Sequence, residues 1–147
     1  MIIDKLTEFC DGTSAILAVG NAVIGNVVPR TNALNALKDI GTGEPVYLVL
    51  QVTTTFVGAT ATVAFDLRSD TTAATATSPV THYTTGALAV GTWVEGYTKV
   101  IALPLEKTYK DYLKIWETVA TANITDGAIN AFLTHDVSRW RAYADNA

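Results

Sequence analysis

The chain has 147 residues, a mass of 15.6 kDa and a formal net charge of −4, which is the size of one ordinary domain. Charged residues make up 16% of it and its ten Lys and Arg are scattered, which argues against nucleic acid, because a phosphate binder needs a clustered basic face. No run approaches the ~18 apolar residues of a membrane span, and Asp4 and Glu8 interrupt what would be the apolar part of a signal peptide. We therefore expect no membrane partner and synthesis in the cytoplasm.

The first third of the chain carries weak signals of secondary structure. A short strand is predicted near Ala15–Val19, and "NAVIGNVV" (Asn21–Val28) predicts another that ends at Pro29. "TNALNALKDIG" (Thr31–Gly41) has a possible capping Thr, an apolar stripe and a terminal Gly. This segment predicts either one short helix or an extended loop.

"VYLVLQVTTTF" (Val46–Phe56) is the strongest strand signal in the chain. Its even-numbered apolar residues share one phase of a two-residue period and are expected to face the core. Tyr47 and Val49 lie on the opposite phase and are apolar too, whereas Thr residues continue that phase farther on. We therefore expect Tyr47 and Val49 to be covered by a partner chain or by a terminal segment.

The rest of the chain alternates strands with turn signals, which is typical of an all-β sandwich or barrel. The predicted strands are Thr60–Asp70, Pro79–Leu88, Tyr97–Leu105, Asp111–Thr121 and Gly127–Val137. The polar stretch Ser69–Val80 predicts an exposed tip or crossover, and Ala120–Gly127 predicts a hairpin turn. No change of composition marks a second domain, so we expect one domain over residues 1–147.

The ionisable residues form no recognisable catalytic or metal-binding motif. His82 and His135 are far apart in sequence, and His135 shares its phase with Leu133 and Val137, which favours an interior or interface histidine. The lone Cys10 favours a buried structural thiol. The sequence therefore predicts no catalytic residue, no metal and no cofactor.

Aromatic residues suggest binding surfaces instead. Tyr112 and Trp116 share a strand face opposite Leu113 and Ile115. Such a face can bind a carbohydrate or another protein, or be part of a two-sided core. The aromatic residues that could line a sugar platform are Trp93, Tyr97, Tyr109, Tyr112, Trp116 and Trp140.

The segment after the last predicted strand, residues 138–147, is rich in residues that favour contact with a partner. Its candidate interface residues are Arg139, Trp140, Arg141 and Tyr143. We expect this C-terminal arm to dock on another subunit.

Three blocks of the sequence resemble the capsid cement, or decoration, proteins of short-tailed bacteriophages. These blocks are the opening "MIIDK…F-C-D", then "GTGEPVYLVLQV", and the closing "A-F-L-T-H-D-V". The resemblance implies an antiparallel jelly-roll β-sandwich of about eight strands that lies on the outer capsid surface. It also implies a homo-oligomer, with a dimer favoured and a trimer possible.

In that reading the partner is the major capsid protein, and the protein clamps neighbouring capsid subunits without catalysis. The resemblance carries over no catalytic residue. The alternative reading is a carbohydrate-binding β-sandwich on a virion or an enzyme, and a metal-dependent jelly-roll enzyme is the third.

Overall fold

The structure is a computed structural model that describes residues 7–30, 45–73, 77–104 and 108–137. Within these ranges no α-helix occurs, and one 3-10 turn lies at Val90–Thr92. The strands in the described ranges are β1 (Glu8–Ser14), β2 (Gly20–Pro29), β3 (Tyr47–Val57), β4 (Thr62–Asp70), β5 (Val80–Thr84), β6 (Leu88–Ala89), β7 (Thr98–Ala102), β8 (Tyr112–Ala120) and β9 (Asp126–Thr134).

The strands form two sheets whose order defines the fold. Sheet I has the order β1-β9-β3-β7, and sheet II has the order β2-β8-β4-β5 with β6 also beside β4. Every pairing is antiparallel. Two antiparallel sheets between which the chain passes in this order form a jelly roll. The predicted all-β jelly-roll sandwich is therefore confirmed, with nine strands because the predicted strand Pro79–Leu88 is divided into β5 and β6.

The core lies between the sheets and follows the two-residue periods of the central strands. From β3 and the residue before it come Val46, Leu48, Leu50, Val52 and Phe56, and from β4 and the residue before it come Ala61, Val63, Phe65 and Leu67. The β3 set has the phase predicted from the sequence, and the β4 set follows the same two-residue period. The ring of Phe65 packs edge-on against Trp93 with 5.0 Å between ring centroids, and Trp93 Nε1 donates to the carbonyl of Val63 (3.2 Å).

The prediction of a strand at Ala15–Val19 is wrong, because those residues connect β1 to β2. The strand lies earlier, at Glu8–Ser14. Its pairing with β9 shifts register on both sides of Cys10, and such bulges break the two-residue period that identifies a strand. Phe9 and Cys10 are consecutive yet both buried, so the sequence shows no alternation there.

Gly25 allows sheets I and II to touch where β2 passes β1. Its φ is +68°, and a Cβ there would collide with the carbonyl of Phe9 and lie 2.6 Å from Cys10 Sγ. Only glycine meets both requirements, because it has no Cβ and populates positive φ freely.

Connections alternate between the two ends of the sandwich because all pairings are antiparallel. Residues 15–19, 58–61, 90–97 and 121–125 connect strands at one end, whereas residues 85–87 only interrupt the line that β5 and β6 form along β4. The turn predicted at Ala120–Gly127 exists, but it is not a hairpin, since it joins β8 of sheet II to β9 of sheet I. The helix predicted at Thr31–Gly41 lies outside the described residues.

Candidate functional surfaces

Tyr47 and Val49 lie on the outer face of sheet I. Val49 pairs with Phe132 of β9 on one side and with Val100 of β7 on the other. Val49 is fully buried within the single chain and does not belong to the core between the sheets, whereas Tyr47 is half-buried. Of the two predicted interface residues, only Tyr47 therefore presents surface to a partner.

Tyr112 and Trp116 lie on the outer face of sheet II, while Leu113 and Ile115 enter the core as predicted. The guanidinium of Arg68 stands 4.7 Å from the centre of the Trp116 ring. The same guanidinium forms an ion pair with Asp66 Oδ2 at 2.6 Å, so the aspartate orients the cation over the ring. One face of Trp116 is thus already occupied by its own chain.

The predicted interface residues do not form one surface. Tyr47 and Val49 belong to sheet I, and Tyr112 and Trp116 belong to sheet II. Because both pairs face outward, they point to opposite sides of the sandwich. Arg139, Trp140, Arg141 and Tyr143 lie outside the described residues.

Two of the aromatic residues considered for a sugar platform are buried and a third, Tyr97, is partly buried against the core, which corrects that expectation for them. Trp93 and Tyr109 are buried, and Tyr97 packs against Trp93 with 5.5 Å between ring centroids. Phase alone could not place these residues, because each lies in an irregular connection or at its boundary.

Ser69 and His82 form a buried pair. Ser69 Oγ and His82 Nε2 are 2.6 Å apart, and Ser69 Oγ also accepts the N–H of Lys110 (3.1 Å). The imidazole stacks on Tyr109 with 4.1 Å between ring centroids. Ser69 has no exposed surface, so the pair joins β4, β5 and the segment before β8 and offers no hydroxyl to a substrate.

Tyr109 secures the same segment from inside the core. Its hydroxyl donates to the carbonyl of Pro104 (2.8 Å), and burial raises the pKa of the phenol to about 12. The phenol therefore remains a neutral donor at physiological pH.

His135 is exposed in the single chain just beyond β9, so it is not an interior residue of this chain, and its alternative place at an interface stays a prediction. The strand ends at Thr134, and the two-residue period has no meaning past that point. In the described part of the chain, no group of three or more His, Cys, Asp or Glu is arranged to hold a metal ion.

Glu117 is a buried carboxyl that the sequence analysis missed. It lies on the core face of β8 with no exposed surface, and its Oε2 accepts the N–H of Ile16 at 2.8 Å. Its Oε1 is buried and has no hydrogen-bond partner. Burial raises the pKa of this carboxyl to about 7, although the Ile16 N–H acts in the opposite direction. The signal was visible, because Glu117 shares its phase with Ile115 and Val119.

Cys10 lies near Glu117 in the core. Burial, reinforced by the Glu117 carboxyl, raises the pKa of the Cys10 thiol to about 12. The thiol is therefore neutral and behaves as a small buried hydrophobe, as predicted.

Asp70 organises the connection between β4 and β5. Its Oδ1 accepts the N–H groups of Thr71 (2.7 Å), Thr72 (3.4 Å) and Ser78 (3.4 Å), and its Oδ2 accepts that of Thr77 (3.0 Å). Burial by itself raises the pKa of this carboxyl, but the four backbone donors outweigh burial and lower it below its ordinary value. The polar stretch predicted as an exposed tip is thus drawn together by one carboxylate.

The sheet order, the shared core and these buried polar contacts define a jelly-roll β-sandwich. Residues 13–133 match the family model Bbp16, a span that runs from β1 to β9. The chain belongs to the Bbp16 family. No curated protein matches it. Among the residues whose structure is described, no helix is long and apolar enough to cross a membrane.

Proposed function

We propose that this protein is a capsid cement protein that binds the outer surface of a phage head and clamps neighbouring major capsid subunits. Its role requires no catalysis and no cofactor. Jelly rolls serve as viral capsid domains, as lectins and as cupins, so the fold is compatible with the proposal without selecting it.

The observation that supports the proposal is that the sequence blocks resembling cement proteins lie on strands that pair with one another in sheet I. The three blocks that resemble cement proteins are far apart in sequence, yet their described parts fall on neighbouring strands of sheet I. Cys10 of β1 pairs with Ala131 of β9, and Leu133 of β9 pairs with Leu48 of β3. The resemblance therefore describes one continuous part of the fold, β1-β9-β3, as an inherited structural unit would.

The exposed surface of the chain is large enough for it to contact several subunits at once, and multivalency lets such contacts be weak. The chain exposes 7881 Å², and a specific contact takes about 800 Å² per partner. Contacts with a second copy and with two capsid subunits would occupy roughly a third of the surface. Each docked contact raises the effective concentration for the next one, so weak contacts suffice on a repeating surface.

Purified virions test this proposal directly. We expect quantitative mass spectrometry of the encoding phage to find the chain at a copy number near that of the major capsid protein. Heads assembled without the chain should take it up from solution, and should then withstand heating or lowered salt better than undecorated heads. Absence of the chain from virions would refute the proposal, and selective binding on a glycan array would favour the carbohydrate-binding alternative.

A further inference from the structure

Within the described ranges, strand β2 presents a row of unpaired backbone groups at the edge of sheet II. β2 (Gly20–Pro29) pairs with β8 on one side and has no strand on the other. In an antiparallel pair, the N–H and C=O groups of alternate residues point away from the partner strand. Among the residues whose structure is described, the backbone of Gly20–Val28 makes no hydrogen bond other than those with β8. This edge can therefore accept a further strand.

The first half of this edge is open to solvent. Ala22 pairs with Glu117 of β8, so its side chain lies on the face of sheet II that carries the buried Glu117 carboxyl. Ala22 is nevertheless exposed, as are the two residues before it in β2. Just before the strand, Leu17 and Val19 are 49% and 54% exposed. An added strand would thus meet both unpaired backbone groups and exposed apolar side chains.

Only the first five residues of β2 form a regular edge. Gly20–Ile24 pair with β8 in one continuous register, which then shifts between Ile24 and Val28. The shifted part contains Gly25, whose φ is +68°, and the strand ends at Pro29, which has no N–H to donate. Bulges and prolines both limit pairing at an edge. The run Gly20–Ile24 is therefore the part of β2 that can pair with another strand.

β2 also contains no Asp, Glu, Lys or Arg. Edge strands commonly carry charged side chains that prevent pairing with other chains. Two other edges of the described sheets do so, with Glu8 and Asp11 in β1 and Lys99 in β7. The edge strand β5 is uncharged, but its register with β4 shifts within its five residues. In the described part of the chain, β2 thus has the longest edge that is both regular and uncharged.

We propose that a second copy of this chain pairs with this edge, β2 against β2 in antiparallel orientation, about a two-fold axis at Ala22. The two-fold axis gives both strands the same length and matching rows of donors and acceptors. It also brings equivalent residues of the two copies close together, so any charge in the run would approach its own copy. A different protein could compensate such a charge with an opposite one, whereas a second copy cannot. The lack of charge in β2 therefore favours a second copy as the partner.

The carboxyl groups of the neighbouring described strands do not lie on this edge. Glu117 is buried in the core, and Glu8 and Asp11 belong to β1 of the other sheet. Packed sheets lie about 10 Å apart, a distance at which salt of about 0.1 M screens exposed charges. The pairing concerns the isolated chain and does not rest on the proposed function.

Complementary charge variants test the pairing. With Ala22 on the axis, Asn21 of each copy lies opposite Val23 of the other copy. Asn21→Lys/Val23→Lys therefore sets two pairs of like charges face to face, as does Asn21→Glu/Val23→Glu, whereas an equimolar mixture of the two variants sets opposite charges face to face. The matched control is Thr98→Lys/Val100→Lys, which has the same spacing on the edge strand β7. Sedimentation equilibrium at about 0.01 M and about 1 M salt measures the dissociation constant of each protein.

We expect the wild-type chain to form a dimer. Each variant should dissociate at least about tenfold more readily at low salt, because like charges directly opposite each other repel, and the loss should shrink at high salt. The mixture should recover the wild-type dissociation constant, and the control should keep it throughout. The melting temperature of each monomer should stay near that of wild type. If the changes at Val23 lower it, Asn21→Lys and Asn21→Glu are used alone, because Asn21 is exposed.

A wild-type chain that stays monomeric at its highest soluble concentration, or that forms a trimer, would overturn this assignment. Unchanged dimers in both variants, a mixture that does not recover, or an equal loss in the control would overturn it too. A monomeric chain whose Lys variant alone fails to bind phage heads would assign this edge to a capsid subunit instead of a second copy. Each of these results leaves the proposed function standing, and absence of the chain from virions would refute that function without affecting the dimer.

Discussion

Replacing Glu117 with Gln should stabilise the protein at neutral and alkaline pH. The Glu117 carboxyl is fully buried, and no described charged partner accompanies its one hydrogen bond from the Ile16 N–H. Ionisation in the folded state therefore leaves an unpaired charge in the core. The amide of Gln has a similar shape, keeps an oxygen that can accept from Ile16, and cannot ionise.

The magnitude follows from the pKa of Glu117, which rises from 4.5 in the unfolded chain to about 7 in the folded protein. Between these values the unfolded chain has lost the proton and the folded protein still holds it, so stability falls as pH rises. The contribution is fully present below pH ~4.5 and is lost above pH ~7. At 1.36 kcal/mol per pKa unit, the loss amounts to about 3 kcal/mol.

Urea unfolding at several pH values between 4.5 and 8.5 measures this effect. The difference in unfolding free energy between Glu117→Gln and wild type should grow in favour of the variant by up to about 3 kcal/mol across that range. Glu95→Gln is the matched control, because Glu95 is an exposed glutamate in a connection, and its difference from wild type should stay constant. A Glu117→Gln difference that does not change with pH would refute the argument.

Three further changes test the fold around the proposed surfaces. Asp70→Asn should lower the melting temperature, because one amide oxygen cannot replace a carboxylate that accepts four backbone N–H groups. The pKa of Asp70 is lowered in the folded protein, so the stabilisation is present above the unfolded pKa of about 3.8 and is lost as pH falls through the folded pKa. The melting temperatures of the two proteins should therefore differ at pH 5 and converge at pH 3, and equal differences at both pH values would contradict this account. Gly25→Ala should abolish or severely reduce soluble folded protein, because the added Cβ collides with β1. The control Gly12→Ala, at positive φ but in open space, should lower the free energy of unfolding in urea by only about 1–2 kcal/mol. Similar unfolding free energies for the two variants would show that the β1–β2 contact is not tight. Val49→Lys should lower the melting temperature of the isolated protein, because the Val49 side chain is fully buried within one chain. The control Val100→Lys, on the neighbouring strand, should leave the melting temperature nearly unchanged. An unchanged melting temperature in both variants would show that Val49 is accessible to solvent.

The central strands of both sheets could be predicted from the sequence because their side chains alternate strictly. Leu48 and Leu50 of β3, and Val63 and Phe65 of β4, follow the two-residue period, and all four lie in the core. The period works there because each strand is paired on both sides, so one complete face is buried against the opposite sheet.

The period fails where the chain departs from a regular strand. The bulges of β1 place Phe9 and Cys10 in the core together, and His135 lies past the end of β9. The burial of Glu117 was not predicted for another reason. Its position in the two-residue period matches the core, but carboxylates are rarely buried. Its phase was visible in the sequence, but its hydrogen-bond partner was not, because the N–H of Ile16 lies 101 positions away in the chain.

Sequence by itself determined the strand class, the core-facing residues of the regular strands and the resemblance that implied a jelly roll. Only the tertiary structure decided which strands are neighbours, and therefore that Tyr47 and Trp116 face opposite sides of the sandwich. Side-chain alternation is a local property, set by the geometry of one extended strand. Surfaces made by several connections depend on the order in which distant strands pair, and that order is set by how both sheets bury their apolar faces together.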